Sequence, residues 1–280
     1  MSERRRTIPA IREAKRSAGA IPLTMVTAYD EPTARLADLG GVDMLLVGDS
    51  MGNVVLGYED TLQVTIEIMA DHVGAVARAR PEALVIGDLP WMSYHVSIEE
   101  AVRSAAALIR AGAGAVKLEG GARRAAVVSA IVDAEIPVMG HLGLTPQSVH
   151  AMGGYKVQGR RSADADLLLE ASELLEAAGC FALVVEGVPD AVGAAMTRAR
   201  SIPTIGIGAG PGTDGQVLVL HDLAGLSKGR SPKFVRRYAE AGELITGAVA
   251  AYVADVRNGD FPGPAETYGA SEELAAHLDN

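Results

Sequence analysis

Eight short apolar runs, separated by longer amphipathic stretches, set the tightest limit on how this chain can fold. They are Pro22–Thr27, Asp43–Gly48, Ala83–Gly87, Ala115–Glu119, Pro137–Gly140, Phe181–Val185, Pro203–Ile207 and Gln216–Leu220. Nearly all are continuous rather than alternating, as expected for parallel strands buried on both faces. Between them, helical spacing predicts helices over 31–39, 65–79, 97–111, 122–133, 163–178 and 189–199. A short helix at 7–19 precedes the first strand and a long one at 232–257 follows the last. Ser97, with Glu100 three residues on, reads as a capping-box start. Eight βα units in about 250 residues is the count of a (β/α)8 barrel. The competing open, doubly wound sheet usually has fewer strands and often a glycine-rich first turn, and neither is present here. No linker breaks the alternation. Residues 1–280 therefore read as one (β/α)8 TIM-barrel domain with a short N-terminal helix and a polar, acidic C-terminal tail.

Composition narrows the function. Apolar residues make up 49% of the chain but aromatic ones only 4%, so small aliphatic side chains must fill the core. The net charge of −10 argues against nucleic acid as a partner, because phosphate binding needs an excess of basic groups. Arg4-Arg5-Arg6 reads as a solvated tail. No run approaches the roughly 20 apolar residues of a membrane span, and the N-terminus is too polar for a signal peptide. Cys180 is the only cysteine, so no internal disulfide can form, which fits a reducing cytoplasm. It leads into an apolar run and reads as a core thiol.

In such barrels the chemistry sits at the carboxyl ends of the strands. Reading strands two to six gives Asp49, Asp88, Glu119, His141 and Glu186. One acidic strand end can be a cap or a solvating group. Four carboxylates crowded into one mouth repel, and a divalent cation resolves the conflict. Asp49, Asp88 and Glu119 offer hard oxygen ligands without thiolate, which favours Mg²⁺ over Zn²⁺. Lys117 stands two residues before Glu119, on the same face of its strand. It can act as a Schiff-base nucleophile, hold a substrate carboxylate, or only balance buried charge. Glu186 can serve as a general base or support the metal. His141 can donate to a developing oxyanion or be structural. Ser50 can cap a carboxylate. The run Gly206–Gly212 resembles a phosphate loop but lacks its lysine and serine, so close backbone approach is its other reading. Trp91, Met92 and Tyr94 either line a space for a flat ring or simply pack. His72 and His221 read as core or surface histidines.

The blocks LLVGDSMGNVVLGYEDT, VIGDLPWMSY, GAGAVKLEGG, VMGHLGLTPQS and IPTIGIGAGPGTDGQVLV, in this order, resemble the ketopantoate hydroxymethyltransferase family. The likeness runs from about Tyr29 to Phe261. It implies a barrel of the phosphoenolpyruvate/pyruvate superfamily. The implied reaction moves a hydroxymethyl group from 5,10-methylenetetrahydrofolate to 3-methyl-2-oxobutanoate, giving 2-dehydropantoate in pantothenate synthesis, through a Mg²⁺-stabilised enolate. By that likeness Asp49 and Asp88 are metal ligands and touch substrate, with Glu119 completing the shell directly or through water. Ser50 and Lys117 contact the substrate carboxylate. Glu186 is the catalytic base and His141 a supporting catalytic donor. The resemblance also implies a homo-oligomer, often a decamer. Three other readings stay open on the residues alone: a 2-oxo acid lyase or aldolase sharing the metal chemistry, a Schiff-base aldolase using Lys117, and a non-catalytic oligomeric binding protein.

Overall fold

Each apolar run pairs in parallel with the next, and the eighth pairs back with the first, closing a barrel in the order β1 to β8. The computed structural model describes residues 6–15, 21–227, 229 and 231–278. Arg4, Arg5 and the end of the helix expected over 7–19 lie outside the described residues. The strands are β1 Leu23–Thr27, β2 Met44–Val47, β3 Leu84–Asp88, β4 Ala115–Glu119, β5 Val138–Gly143, β6 Ala182–Glu186, β7 Thr204–Ile207 and β8 Gly215–Leu218. Of the helices, α1 spans Ile8–Glu13, α2 Glu31–Leu39, α3 Met51–Val54, α4 Ile66–Arg78, α5 Ile98–Ala111 and α6 Ala125–Asp133. The rest are α7 Val149–Met152, α8 Ser162–Ala177, α9 Asp190–Ala199, α10 Leu220–Leu223, α11 Ala241–Asn258 and α12 Glu272–Leu278.

The continuous apolar runs divide their side chains by parity. Met44, Leu46, Leu84, Ile86, Ala115, Met139 and Val184 fill the barrel interior. Their neighbours Leu45, Val47, Val85, Val116, Leu118 and Val138 face outward and pack with Met69, Val73, Leu108 and Ile131 of the helices. Ala115 is inside, and the same parity turns Lys117 and Glu119 inward. Helix starts follow the caps: Ser97 Oγ accepts the Glu100 N–H at 3.1 Å and Asp30 Oδ1 accepts the Thr33 N–H at 2.8 Å.

The amino end of the barrel has a floor. Ile11 of α1 belongs to the interior cluster. Arg6, expected in a solvated tail, pairs with Asp43 at 2.7 Å. Lys15 Nζ lies 2.7 Å from Asp214 Oδ2. The same carboxylate oxygen accepts the Thr204 N–H at 2.8 Å.

Three expected boundaries move. The fifth strand runs beyond His141 to Gly143, because Leu142 and Gly143 continue the pairing with Val185 and Glu186. Gly143 permits it: its φ is +95°, and a Cβ there would collide with the Glu186 carbonyl. The segment 142–161 is not a plain loop, since it folds into a 3-10 turn at Pro146–Ser148 and then α7. The helix expected over 232–257 begins only at Ala241. Before it, the Tyr238 and Ala241 N–H groups bond to Leu223 O and Ala224 O, both at 2.9 Å, and so cannot feed a helical ladder.

The chain forms two compact units. The barrel takes in residues up to Asp222 and Ser227–Arg236. The smaller unit comprises Leu223–Leu226 and Arg237–Asn280, with α11, α12 and an edge-on contact of Tyr252 with Phe261, ring centres 5.4 Å apart.

Candidate active site

Parallel register brings the strand-end residues level with one another. Asp88 stands opposite Lys117, Glu119 opposite His141, and Gly143 opposite Glu186. All five predicted strand-end groups, with Ser50 and Lys117, line one cavity of about 130 Å³ at the carboxyl ends. Lys117 and Glu119 are each only 3% exposed.

Lys117 does not chiefly pair with Glu119, which lies 4.0 Å away. Its close partner is Asp88 Oδ1, at 2.9 Å. Burial opposes the ammonium, but Asp88, Glu119 and Asp49 outweigh it and hold the Lys117 pKa above its ordinary value. A Schiff-base nucleophile must be a free amine. This lysine is held as a cation, which disfavours that reading. His141 Nδ1 lies 3.4 Å from Glu119 Oε1 and Nε2 lies 3.2 Å from Glu186 Oε2. Burial and Lys117 oppose its protonation, yet the two glutamates push its pKa up to about 9. Nδ1 also lies 3.3 Å from Lys117 Nζ, so it meets a cation as well as a carboxylate, while Nε2 faces Glu186. Its approach to Glu186 lacks the alignment of a full hydrogen bond.

Carboxylates remain in excess. Burial, then Asp88 and Glu119, push the Asp49 pKa well above the usual range. Burial raises Asp88 too, although Lys117 offsets part of the rise. Glu119 goes the other way: burial opposes its charge, but His141, Lys117 and the Gln147 N–H hold its pKa down.

The strand ends do not make the site alone. Gln147, which sequence reasoning missed, enters from the 3-10 turn after β5 and ties three of them together. Its N–H donates to Glu119 Oε2 at 3.0 Å. Its Nε2 donates to Asp49 Oδ2 at 2.9 Å and to Leu89 O at 3.0 Å. Tyr94 OH donates to Gln147 Oε1 at 2.6 Å. Tyr94 is buried, whereas Trp91 and Met92 beside it are 42% and 41% exposed, so the three do not act as one aromatic patch. Ser50 Oγ meets Tyr29 OH at 2.9 Å rather than capping a carboxylate. The one signal for Gln147 was its amide within Thr145-Pro146-Gln147-Ser148, directly after a strand.

Among the described residues, no three histidine, cysteine or carboxylate groups stand ready as a metal cage. The residues nevertheless fit a hard cation held by fewer protein ligands. Asp88 Oδ1 is buried with the Lys117 ammonium at 2.9 Å as its ion-pair partner and no further hydrogen bond. The Asp49 N–H reaches Asp88 Oδ2 at 3.3 Å, which places the two carboxylate-bearing residues side by side. Mg²⁺ is commonly bound by one or two carboxylates plus water and substrate oxygens. Both Glu119 oxygens have protein neighbours, Oε1 near His141 and Lys117 and Oε2 at Gln147. That arrangement suits contact through water.

The glycine run Gly206–Gly212 serves close approach. A Cβ at Gly208 would meet the Phe234 ring at 2.8 Å, and one at Gly212 would meet Ala194 at 2.7 Å. Cys180 is buried and its thiol is pushed up to about 12 by burial, as suits a core residue. No helix among the described residues is long and apolar enough to cross a membrane.

The family model described as ketopantoate hydroxymethyltransferase matches residues 5–264. A 3-methyl-2-oxobutanoate hydroxymethyltransferase of Methylobacterium sp. (strain 4-46) is 55% identical over 98% of this chain and 94% of its own. One from Pelobacter propionicus is 53% identical over 94% and 97%. A solved structure of phosphonopyruvate hydrolase is 13% identical, with a TM-score of 0.61, and covers 98% of this chain and 95% of that one. At that identity the likeness concerns the fold alone.

Proposed function

The chain belongs to the ketopantoate hydroxymethyltransferase family, and on that premise we propose that it transfers a hydroxymethyl group from 5,10-methylenetetrahydrofolate to 3-methyl-2-oxobutanoate, giving 2-dehydropantoate. The observation that carries the reading is the convergence of Asp49, Asp88, Lys117, Glu119, His141 and Glu186 on one small cavity. Asp49 and Asp88 would hold Mg²⁺, with Glu119 reaching it directly or through water. When bound, the ion supplies Lewis acidity that polarises the 2-oxo group and makes the C3–H more acidic.

The chain's own residues do the rest. Lys117, kept charged by its acidic neighbours, binds the substrate carboxylate, with Ser50 beside it. Glu186 lines the cavity and is more exposed than Asp49, Asp88 and Glu119. It takes the C3 proton. The electron pair left at C3 then forms the bond to the donor's methylene carbon; both C–N bonds of that carbon break, a water molecule supplies the oxygen of the new hydroxyl, and tetrahydrofolate leaves with its freed nitrogens protonated. His141, set between Glu119 and Glu186, makes no full hydrogen bond to Glu186 through Nε2 and can offer that N–H to oxygen that gains charge. The excess of carboxylates favours this metal-assisted reading over a binding protein, because buried like charges without a job are costly. A cytoplasmic setting fits the buried, unreactive Cys180. Assembly into a homo-oligomer, a decamer by the family resemblance, fits the exposed Leu244, Ile245, Val249 and Tyr252 of α11.

The test is exchange of the C3 proton of 3-methyl-2-oxobutanoate with D₂O, followed by NMR with Mg²⁺ or with EDTA. Exchange that needs Mg²⁺ but no folate, and product only with methylenetetrahydrofolate, is the expected pair of results. Product at full rate without folate points to a lyase or aldolase instead.

A further inference from the structure

Asp49 lies just past β2, Leu89 follows β3 and Glu119 ends β4, so these residues mark the ends of neighbouring strands. Gln147 enters from elsewhere, the 3-10 turn after β5, and bonds to each of them. The turn explains the backbone bond. Its first residue, Pro146, has no N–H, and the Ser148 N–H closes the turn on Thr145 O at 2.8 Å. The Gln147 N–H has no partner within so short a turn, and it goes to Glu119 Oε2.

The side chain can sit only one way round. Leu89 O only accepts, so the amide atom 3.0 Å from it must be nitrogen. The second hydrogen of that nitrogen meets Asp49 Oδ2. Oε1 is left facing Tyr94 OH, whose one hydrogen has a shorter path to it, 2.6 Å, than to Glu119 O at 3.2 Å. Tyr94 is itself held, with the Arg124 guanidinium 5.5 Å from its ring centre and the Glu119 N–H 3.3 Å from its hydroxyl. Gln147 and Tyr94 are both buried, so water does not compete for these bonds. Asp49 and Glu119 repel each other. Gln147 opposes that by holding one oxygen of each. A small cation is sensitive to such spacing. Mg²⁺ demands near-octahedral geometry at about 2.0–2.1 Å, whereas Ca²⁺ accepts about 2.3–2.6 Å in flexible arrangements.

We propose that Gln147, turned by Tyr94, is a positioning residue that fixes the spacing of the mouth acids, and that this spacing selects Mg²⁺ over the larger Ca²⁺. The proposal rests on the reading that Asp49 and Asp88 hold a divalent cation. Gln147 does not line the cavity and acts through Asp49 and Glu119.

The experiment titrates metal-free protein with MgCl₂ and, separately, with CaCl₂ by calorimetry, in the presence of 3-methyl-2-oxobutanoate and without donor. The wild type should prefer Mg²⁺. Gln147→Met fills the same space without an amide. It should weaken Mg²⁺ binding by about 10- to 100-fold, the usual cost of losing a group that orients a metal ligand. Ca²⁺ binding should weaken by less than about 3-fold, because its shell tolerates displaced oxygens. Tyr94→Phe should weaken Mg²⁺ binding by about 5-fold, as for one lost hydrogen bond, and should add nothing in the Gln147→Met background. Gln147→Asn, one carbon too short to span Asp49 and Leu89, should show the same selective loss, and it carries the test if the methionine variant does not fold. A wild type without preference, an unchanged Mg²⁺ affinity in the Gln147 variants, or equal weakening of both cations overturns the spacing role. Additive losses in the double variant overturn the orienting role of Tyr94. A wild type that binds neither cation removes the metal reading itself, a result distinct from any loss of preference. Partial misfolding lowers the number of sites titrated and leaves the ratio of the two affinities unchanged.

Discussion

The two ends of this barrel treat buried charge in opposite ways. At the floor, each acid has a dedicated partner. Asp43 pairs with Arg6 and accepts the Thr24 N–H at 2.8 Å. Asp214 pairs with Lys15 and accepts the Thr204 N–H. At the mouth, Asp49, Asp88, Glu119 and Glu186 share one lysine and one histidine. Burial and mutual repulsion push Asp49 and Asp88 away from their ordinary ionisation. Charge paired one to one belongs to folding. Charge left in excess is an unsolved problem in the bare chain that a cation and a substrate can solve. The mouth should therefore lose function before stability when altered, and the floor the reverse.

The largest effect should come from Glu186→Gln at the mouth. Removing the base should slow C3 proton exchange by about 10²- to 10⁴-fold, the usual contribution of a positioned general base. The free energy of unfolding in urea should change by no more than about 1 kcal/mol, since this partly exposed side chain meets the buried His141 at 3.2 Å without a full hydrogen bond. Exchange at the wild-type rate would remove Glu186 from the mechanism. Next comes the floor. Asp214→Ala strands Lys15 and the Thr204 N–H, and should cost about 3 kcal/mol of stability. The measurement is the urea transition, with the exchange rate of the remaining folded enzyme as the control. A normal transition with a lost exchange rate would invert the comparison between the two ends.

Much of this contrast was legible in the sequence. The eight apolar runs specify the barrel because parallel strands buried on both faces must be apolar on both faces. The mouth acids were visible because a strand's end residue has a known direction once the barrel is inferred. The floor was not visible. Arg6 and Lys15 look like ordinary surface charges until the barrel brings Asp43 and Asp214 to them, and Asp214 is 199 residues from Lys15 in the chain. Gln147 escaped for a similar reason. It reaches Asp49 across a separation of 98 residues, from a turn whose shape no periodicity announces. The late start of α11 escaped too, because the backbone bonds of Tyr238 and Ala241 to 223 and 224 carry no side-chain signature.

The smallest effect sharpens the comparison most, because its sign is unusual for a buried polar residue. Asp49 is nearly inaccessible, and its charge is opposed first by burial and then by Asp88 and Glu119. The change Asp49→Asn keeps the shape of the side chain and removes the charge. The amide oxygen of the variant could still accept the Gln147 Nε2 hydrogen bond that now measures 2.9 Å. With metal removed by EDTA, Asp49→Asn should therefore be more stable than wild type, by about 1 kcal/mol, in the range gained when functional strain is relieved. The same variant should bind Mg²⁺ more weakly by calorimetry, having lost an anionic oxygen. At the floor the corresponding change, Asp214→Asn, should be destabilising, because there the charge has a partner in Lys15. Opposite signs at the two ends are the expected result of paired urea titrations in EDTA. If Asp49→Asn is destabilising as well, the excess charge at the mouth is not a cost in the bare chain, and the distinction between the two ends fails.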